Sequence, residues 1–265
     1  MPKFTAISPD TFASRAWRRI TGYHFAAQLS TIQVVAAELP HLVPSMPLGF
    51  VQNGSAFELV AICSVQPAAN LYIAPDGRWL GSYIPAAIRG YPFRLVKMQD
   101  REDSILCIDE ESGLVVEAGQ GESFFDASGT PSQAVKDVLN LLTQVERSRV
   151  ATQAAVDALR GAGLIQPWPI NLQQGNQAVA VEGLFRIDES AMNALPDEDF
   201  SKLRSTGAFA VAYAQLLSMN QLSVLQRLDQ VQVELKAQAA AQVHALSGLE
   251  GFNLFQDDGT ITFTY

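Results

Sequence analysis

Phe57-Glu-Leu-Val-Ala-Ile-Cys-Ser-Val65 is a compact, mostly apolar run, the pattern of a strand buried in a sheet. A few residues on, Asn70-Leu-Tyr-Ile-Ala-Pro-Asp-Gly-Arg-Trp-Leu80 sets a Pro-Asp-Gly turn between two short strands. Gly77 can supply the positive φ that such a turn needs. Residues 104–108 and 114–117 flank Asp109-Glu-Glu-Ser-Gly113 and read as a second hairpin. Residues 122–126 then run into Ala127-Ser-Gly-Thr-Pro131, a turn that leads into a helix with Thr130 as N-cap and Pro131 at its first position.

The centre of the chain turns helical. Val135, Val138, Leu139, Leu142, Val145 and Val150 recur at three- to five-residue spacing over residues 131–162, and Gly161-Ala-Gly163 stops the pattern. Gln166-Pro-Trp-Pro169 is a rigid connector, residues 178–187 read as a strand and 189–195 as a short helix. In 207–217 alanines alternate with Phe209, Val211 and Tyr213, which at period two predicts a late strand with one smooth alanine face. A long helix follows, from Ser218 to about Leu246. Leu217, Val224, Leu228, Val231 and Leu235 lie along it at heptad-type spacing, a candidate self-association stripe and so a route to a homo-oligomer. Asp258-Gly259 between alternating runs predicts a terminal hairpin. The expected fold is α+β: antiparallel strands and hairpins in the N-terminal half with packed helices, then the late strand, the long C-terminal helix and the hairpin. The expected division is a domain over residues 1–245 and a β-hairpin tail over 246–265.

Of 265 residues, 48% are hydrophobic and 17% charged, so a packed core can offset chain entropy and disorder is excluded. No uninterrupted apolar run approaches the ~20 residues of a membrane span. The first 30 residues lack the clean apolar core of a secretory signal, so the expected compartment is the cytoplasm. The formal net charge of −9 argues against a nucleic-acid binder. Charge is also uneven. Residues 1–101 carry nine Lys and Arg against five Asp and Glu; the remainder carries nine against twenty-two. Cys63 and Cys107 sit in apolar runs and read as buried, reduced thiols.

The familiar catalytic patterns are missing: no Gly-x-Gly-x-x-Gly, Walker loop, Gly-x-Ser-x-Gly or His-Glu-x-x-His occurs. His24, His41 and His244 are widely separated and read as structural, and no metal or cofactor site is expected. Two acidic clusters, Asp100/Glu102/Asp103 and Asp109/Glu110/Glu111, read as solvated turns. The densest constellation is Arg78-Trp-Leu-Gly-Ser-Tyr-Ile-Pro-Ala-Ala-Ile-Arg-Gly-Tyr-Pro-Phe93. Within it Arg78, Trp79, Tyr83, Arg89 and Tyr91 are candidates to bind an anionic or aromatic ligand, by forked hydrogen bonds and stacking.

Tyr83-Ile-Pro-Ala-Ala-Ile-Arg-Gly-Tyr-Pro-Phe93 resembles the signature segment of the SapC family, approximately Tyr-Ile-Pro-Ala-x-Ile-Arg-Arg-Tyr-Pro-Phe. Asn70-Leu-Tyr with Asp76-Gly-Arg-Trp79, Leu106-Cys-Ile-Asp-Glu110, Phe124-Phe-Asp126 with Gly129-Thr-Pro131, and Val181-Glu-Gly-Leu-Phe-Arg-Ile-Asp-Glu189 are similar to further family blocks. The resemblance covers about residues 15–225; Gly90 replaces a second arginine, and the tail from about 245 is additional. It implies association with bacterial surface-layer systems, or an accessory role beside halogenase-like and hydroxylase-like partners in surface or peptide modification. It implies no established reaction. The expected function is therefore a non-enzymatic accessory protein that binds protein partners. The alternatives are a ligand-binding protein or enzyme built on residues 78–93, and a protein exported to the cell surface by a Sec-independent route through its C-terminal segment.

Overall fold

The computed structural model describes residues 3–97, 104–174 and 177–250. The chain opens with β1 (Phe4–Ala6), α1 (Pro9–Phe12), β2 (Arg15–Trp17), β3 (Thr31–Gln33) and α2 (Leu39–Leu42). The hairpin β4 (Leu48–Asn53) and β5 (Ala56–Ile62) follows, then α3 (Ala86–Arg89), β6 (Phe93–Lys97), β7 (Ser104–Asp109), β8 (Val115–Glu117) and β9 (Glu122–Ser123). The long α4 (Gln133–Gly161) leads to β10 (Ile165–Pro167), β11 (Ile170–Gln174), β12 (Gln177–Val181) and β13 (Leu184–Ile187). Four helices close the described chain: α5 (Glu189–Asn193), α6 (Asp197–Arg204), α7 (Ala208–Ser218) and α8 (Leu222–Glu250).

The fold is α+β, and its centre is a five-stranded antiparallel sheet in the order β10-β13-β4-β5-β3. Asn53↔Ala56 closes the β4–β5 hairpin over the two-residue loop Gly54-Ser55, in which Gly54 supplies the positive φ of 59 at the first loop position. Leu59, Val60, Ala61, Ile62 and Cys63 are buried without a break, as the opening apolar run predicts for a strand covered on both faces. Helix α4 packs on β5, and α7 packs on β4 and β13. Two smaller antiparallel sheets, β1-β7-β6 and β8-β2-β9, enclose a second cluster of Phe12, Trp17, Phe93, Leu106, Ile108, Phe124 and Val135. Helix α4 ties the two clusters together, giving Val135 to the small one and Ala155, Val156 and Leu159 to the large one.

The structure corrects several local expectations. Residues 207–217 are not a late strand; they form α7. Ala208, Val211, Ala212, Ala214, Gln215 and Ser218 are its buried positions, most of them at helical spacing, while Tyr213 and Leu217 lie 50% and 62% exposed. High alanine propensity and a flat alanine face that lies close on the sheet outweigh the period-two alternation. Residues 104–108 and 114–117 do not pair with each other: β7 lies between β1 and β6, and β8 joins β2. Gly113, at φ 73, ends the 3-10 turn between them and redirects the chain into the other sheet. Residues 178–187 are two strands, broken at Gly183. The cap of α4 is Ser132, two residues after Thr130, because Pro131 is held in a bridge to Phe125. Around Gly77 the chain makes only an Ile73↔Trp79 bridge. The expected terminal hairpin lies outside the described residues, as does the cluster Asp100/Glu102/Asp103.

By length and composition the helical run Ala208–Ala241 could cross a membrane, with mean hydropathy 1.2 over its most apolar 18 residues. In this fold 39% of that window is buried. Gln215 Nε2 donates to the Leu48 carbonyl and its Oε1 accepts from Ile187 N–H, while Ser218 Oγ accepts from Leu48 N–H. These polar ties seat α7 on β4 and β13 as a core helix of the sheet.

Candidate functional site

The candidate segment folds as a loop, one short turn of helix and an edge strand, and the turn is organised by a residue from elsewhere. Glu38, 5% exposed, closes a 3-10 turn (Ala36–Glu38) before α2. Its Oε1 accepts from Ala86 N–H at 2.6 Å and from Tyr83 Oη at 3.0 Å; its Oε2 accepts from Val35 N–H at 3.2 Å. Pro85 caps α3 without a side-chain acceptor, so the Glu38 carboxylate supplies one to the first amide of that helix. Arg89 Nη2 donates to Tyr83 Oη at 3.0 Å with its guanidinium 5.4 Å from the ring centre, and His41 stacks on the same ring at 5.1 Å. Burial and the Glu38 charge push the Tyr83 hydroxyl up to about 12.

Trp79 belongs to this cluster through one bond, Nε1 donating to the Tyr83 carbonyl at 2.8 Å. Its ring stacks on fully buried Tyr72 and meets Tyr23 edge-on, so it serves the core. Gly81 lets the rings close up, since a Cβ there would stand 2.8 Å from both Trp79 and Tyr72. Arg78 is separate: exposed, it pairs with Asp76 across the Pro-Asp-Gly turn. Tyr91 is separate too, stacked on Phe25 with centroids 3.8 Å apart and planes at 11°. Thus Tyr83 and Arg89 meet, Trp79 bonds the Tyr83 backbone, and Arg78 and Tyr91 do not join them.

The Phe25–Tyr91 pair is a wall between two clefts. One, of about 410 Å³, is lined by His24, Asp76 and Ser112 among others. The other, of about 400 Å³, runs between β6 and α4 and includes Arg94, Leu142, Glu146 and Arg149. Sequence reasoning missed Glu38, Phe25, Arg94 and Arg149 as site residues. Arg94 stands one position past the quoted segment and carried a signal; the others are far away in sequence. Gly90, where a second arginine was expected, faces α4: a Cβ there would lie 2.7 Å from Leu142 Cδ2.

The self-association stripe splits. Leu228 is buried at 8% exposure in the core beside Leu225, Val224 and Leu235 are half-buried, and Leu217 and Val231 are exposed at 62% and 37%. Beyond Gln232 the described side chains of α8, through Ala241, are exposed except half-buried Leu235. A broad apolar groove of about 490 Å³ lies between the Ala36–Pro44 segment and α7, lined by Leu39, Pro40, Val43, Tyr213 and Leu217. Both cysteines are free and buried, and burial pushes both thiols up, away from thiolate chemistry. His24 packs beside Gly77, and His244 lies beyond the described side chains.

A family model described as SapC matches residues 7–225, most of the chain and close to the span of the quoted resemblance. No curated protein and no solved structure matches.

Proposed function

The chain belongs to the SapC family, and from that premise we propose that it is a non-catalytic accessory protein that docks protein partners in a bacterial surface-layer or surface-modification system. One observation carries this reading: Tyr213, Leu217, Val231 and Val233 stand 50%, 62%, 37% and 64% exposed along α7 and α8, and the first two border the groove over Leu39, Pro40 and Val43. Exposed apolar surface of this kind costs solubility unless a partner covers it. Consistent with this, the polar atoms of Trp79 and Tyr83 are engaged, the indole N–H by the Tyr83 carbonyl and the Tyr83 hydroxyl by Glu38 and Arg89. The surface-layer setting is supported by the family association alone.

The test is crosslinking and native co-purification from a cell carrying the chain, comparing wild type with a Leu217→Glu, Val233→Glu double variant. Both positions are exposed, so the fold should tolerate the change. A partner set that depends on the apolar side chains of α7 and α8 supports the reading. An identical set in both proteins, or no specific partner for either, overturns it.

A further inference from the structure

We infer that the cleft between β6 and α4 binds a planar aromatic molecule carrying an anionic group, with Arg94 as the anion contact and the Phe25–Tyr91 wall as the ring contact. This goes beyond protein docking and uses a different face. At about 400 Å³ the cleft has the size of a small-molecule site. Its wall is already ordered: Phe25 and Tyr91 stack face to face, and Phe25 remains 39% exposed beside the cleft. A further flat ring laid against that wall gains the offset or edge contacts that aromatic pairs favour.

The charges at the cleft are unequal. Arg149 is fixed by Glu146 through two N–H···O contacts of 2.7 and 2.8 Å. Lys97 also acts on the Glu146 carboxylate, which is held below its ordinary range by these cations. Arg94 has no carboxylate partner among the described residues; its guanidinium rests 5.6 Å from the Phe4 ring centre, an exposed fork held by a ring. Of the charged residues that line the cleft, two are cations, Arg94 and Arg149, and one is a carboxylate, Glu146, on a chain of net charge −9. Such a local excess draws anions, and a free guanidinium fork matches a carboxylate or sulfonate. Leu142 closes the apolar side, in the space left by Gly90.

The probes are 1-anilinonaphthalene-8-sulfonate and N-phenyl-1-naphthylamine, the same ring system without the charge, titrated by fluorescence and calorimetry into the full chain. The expected result is one site that prefers the sulfonate by about tenfold, in line with one charge-assisted hydrogen-bond pair. Arg94→Ala should reduce that preference to within twofold and leave the neutral probe unchanged, and Arg94→Lys should keep part of it. Phe25→Leu should weaken both probes. Arg78→Ala, which alters an exposed arginine on another loop, should change neither. Equal affinity for the two probes, or a sulfonate preference that survives Arg94→Ala, overturns the inference. Arg94 is exposed, so its replacement tests binding and not folding.

Discussion

Glu38 shows how one buried carboxylate organises three separate stretches of chain. It holds Val35 N–H, Ala86 N–H and the Tyr83 hydroxyl at once, with no lysine or arginine among its hydrogen-bond donors in the described residues. Glu38→Gln keeps the shape but turns an NH2 group toward at least one of these donors, leaving it unsatisfied in the interior. The expected cost is about 1–3 kcal/mol, read as a lower urea midpoint with unchanged slope. A loss within measurement error would mean that the network holds no weight in the fold. The raised Tyr83 hydroxyl makes a second prediction. In the unfolded chain tyrosine ionises near ~10, whereas in the folded protein Tyr83 ionises at about 12. Its contribution is present below pH ~10 and is lost as the pH climbs through that window, because the unfolded chain then binds fewer protons. Tyr72 and Tyr91 are shifted in the same direction by burial. Urea midpoints from pH 8 to 12 should therefore fall at the alkaline end, and Tyr83→Phe should shallow that fall without abolishing it. A profile identical to wild type would remove Tyr83 from the account.

Among the elements, α7 shows why burial and not alternation sets local structure. Its sheet-facing residues are small apart from Val211 and Gln215, and Gln215 reaches two strands by bonding Leu48 C=O and Ile187 N–H. Gln215→Leu keeps the volume and removes both partners, so two backbone groups lose their bonds beneath the helix. The expected loss is about 2–4 kcal/mol. Tyr213→Ala, on the exposed side, should stay within about 0.5 kcal/mol. Thermal unfolding of the two variants separates these outcomes, and comparable losses would contradict the placement of α7. At its other edge the helix leads into α8, whose Gln232 donates to the carbonyls of Leu71 and Ile73 and so seats only the first turns of that long helix on the body.

Across the whole molecule, α4 is the member that both hydrophobic clusters share. At 29 residues it spans roughly 43 Å, reckoned at 1.5 Å per residue. Its two ends do different work. The larger cluster takes fully buried Leu159, and the smaller takes Val135 at 3% exposure. Leu159→Ala should cost about 2–5 kcal/mol. Because the helix is continuous, Val135→Ala, at the far end, should lower the same single transition and not split it. Chemical denaturation followed by both tryptophan fluorescence and far-UV circular dichroism checks this. Two separated transitions would show that the clusters unfold independently.

The α+β class, the buried strand β5, the long helix α4 and the family are all legible in the residues alone, because each rests on local periodicity or on positions contiguous in the chain. The sequence also marks the residues richest in side-chain chemistry, at 78–93. What those residues contact depends on how distant parts of the chain pack around them. Trp79 turns inward onto Tyr72 and Tyr83 onto Glu38, with exposed Arg89 laid on the Tyr83 ring, whereas Tyr91 turns to Phe25 and shares a cleft with Arg94 and Arg149. Glu38 and Phe25 lie forty or more positions before that segment, and Arg149 lies far beyond it, so no spacing rule links them. The alanine-rich α7 was ambiguous for a related reason. Its pattern suits a strand and a helix alike, and the choice fell to whichever surface lay close enough for small side chains to pack against it.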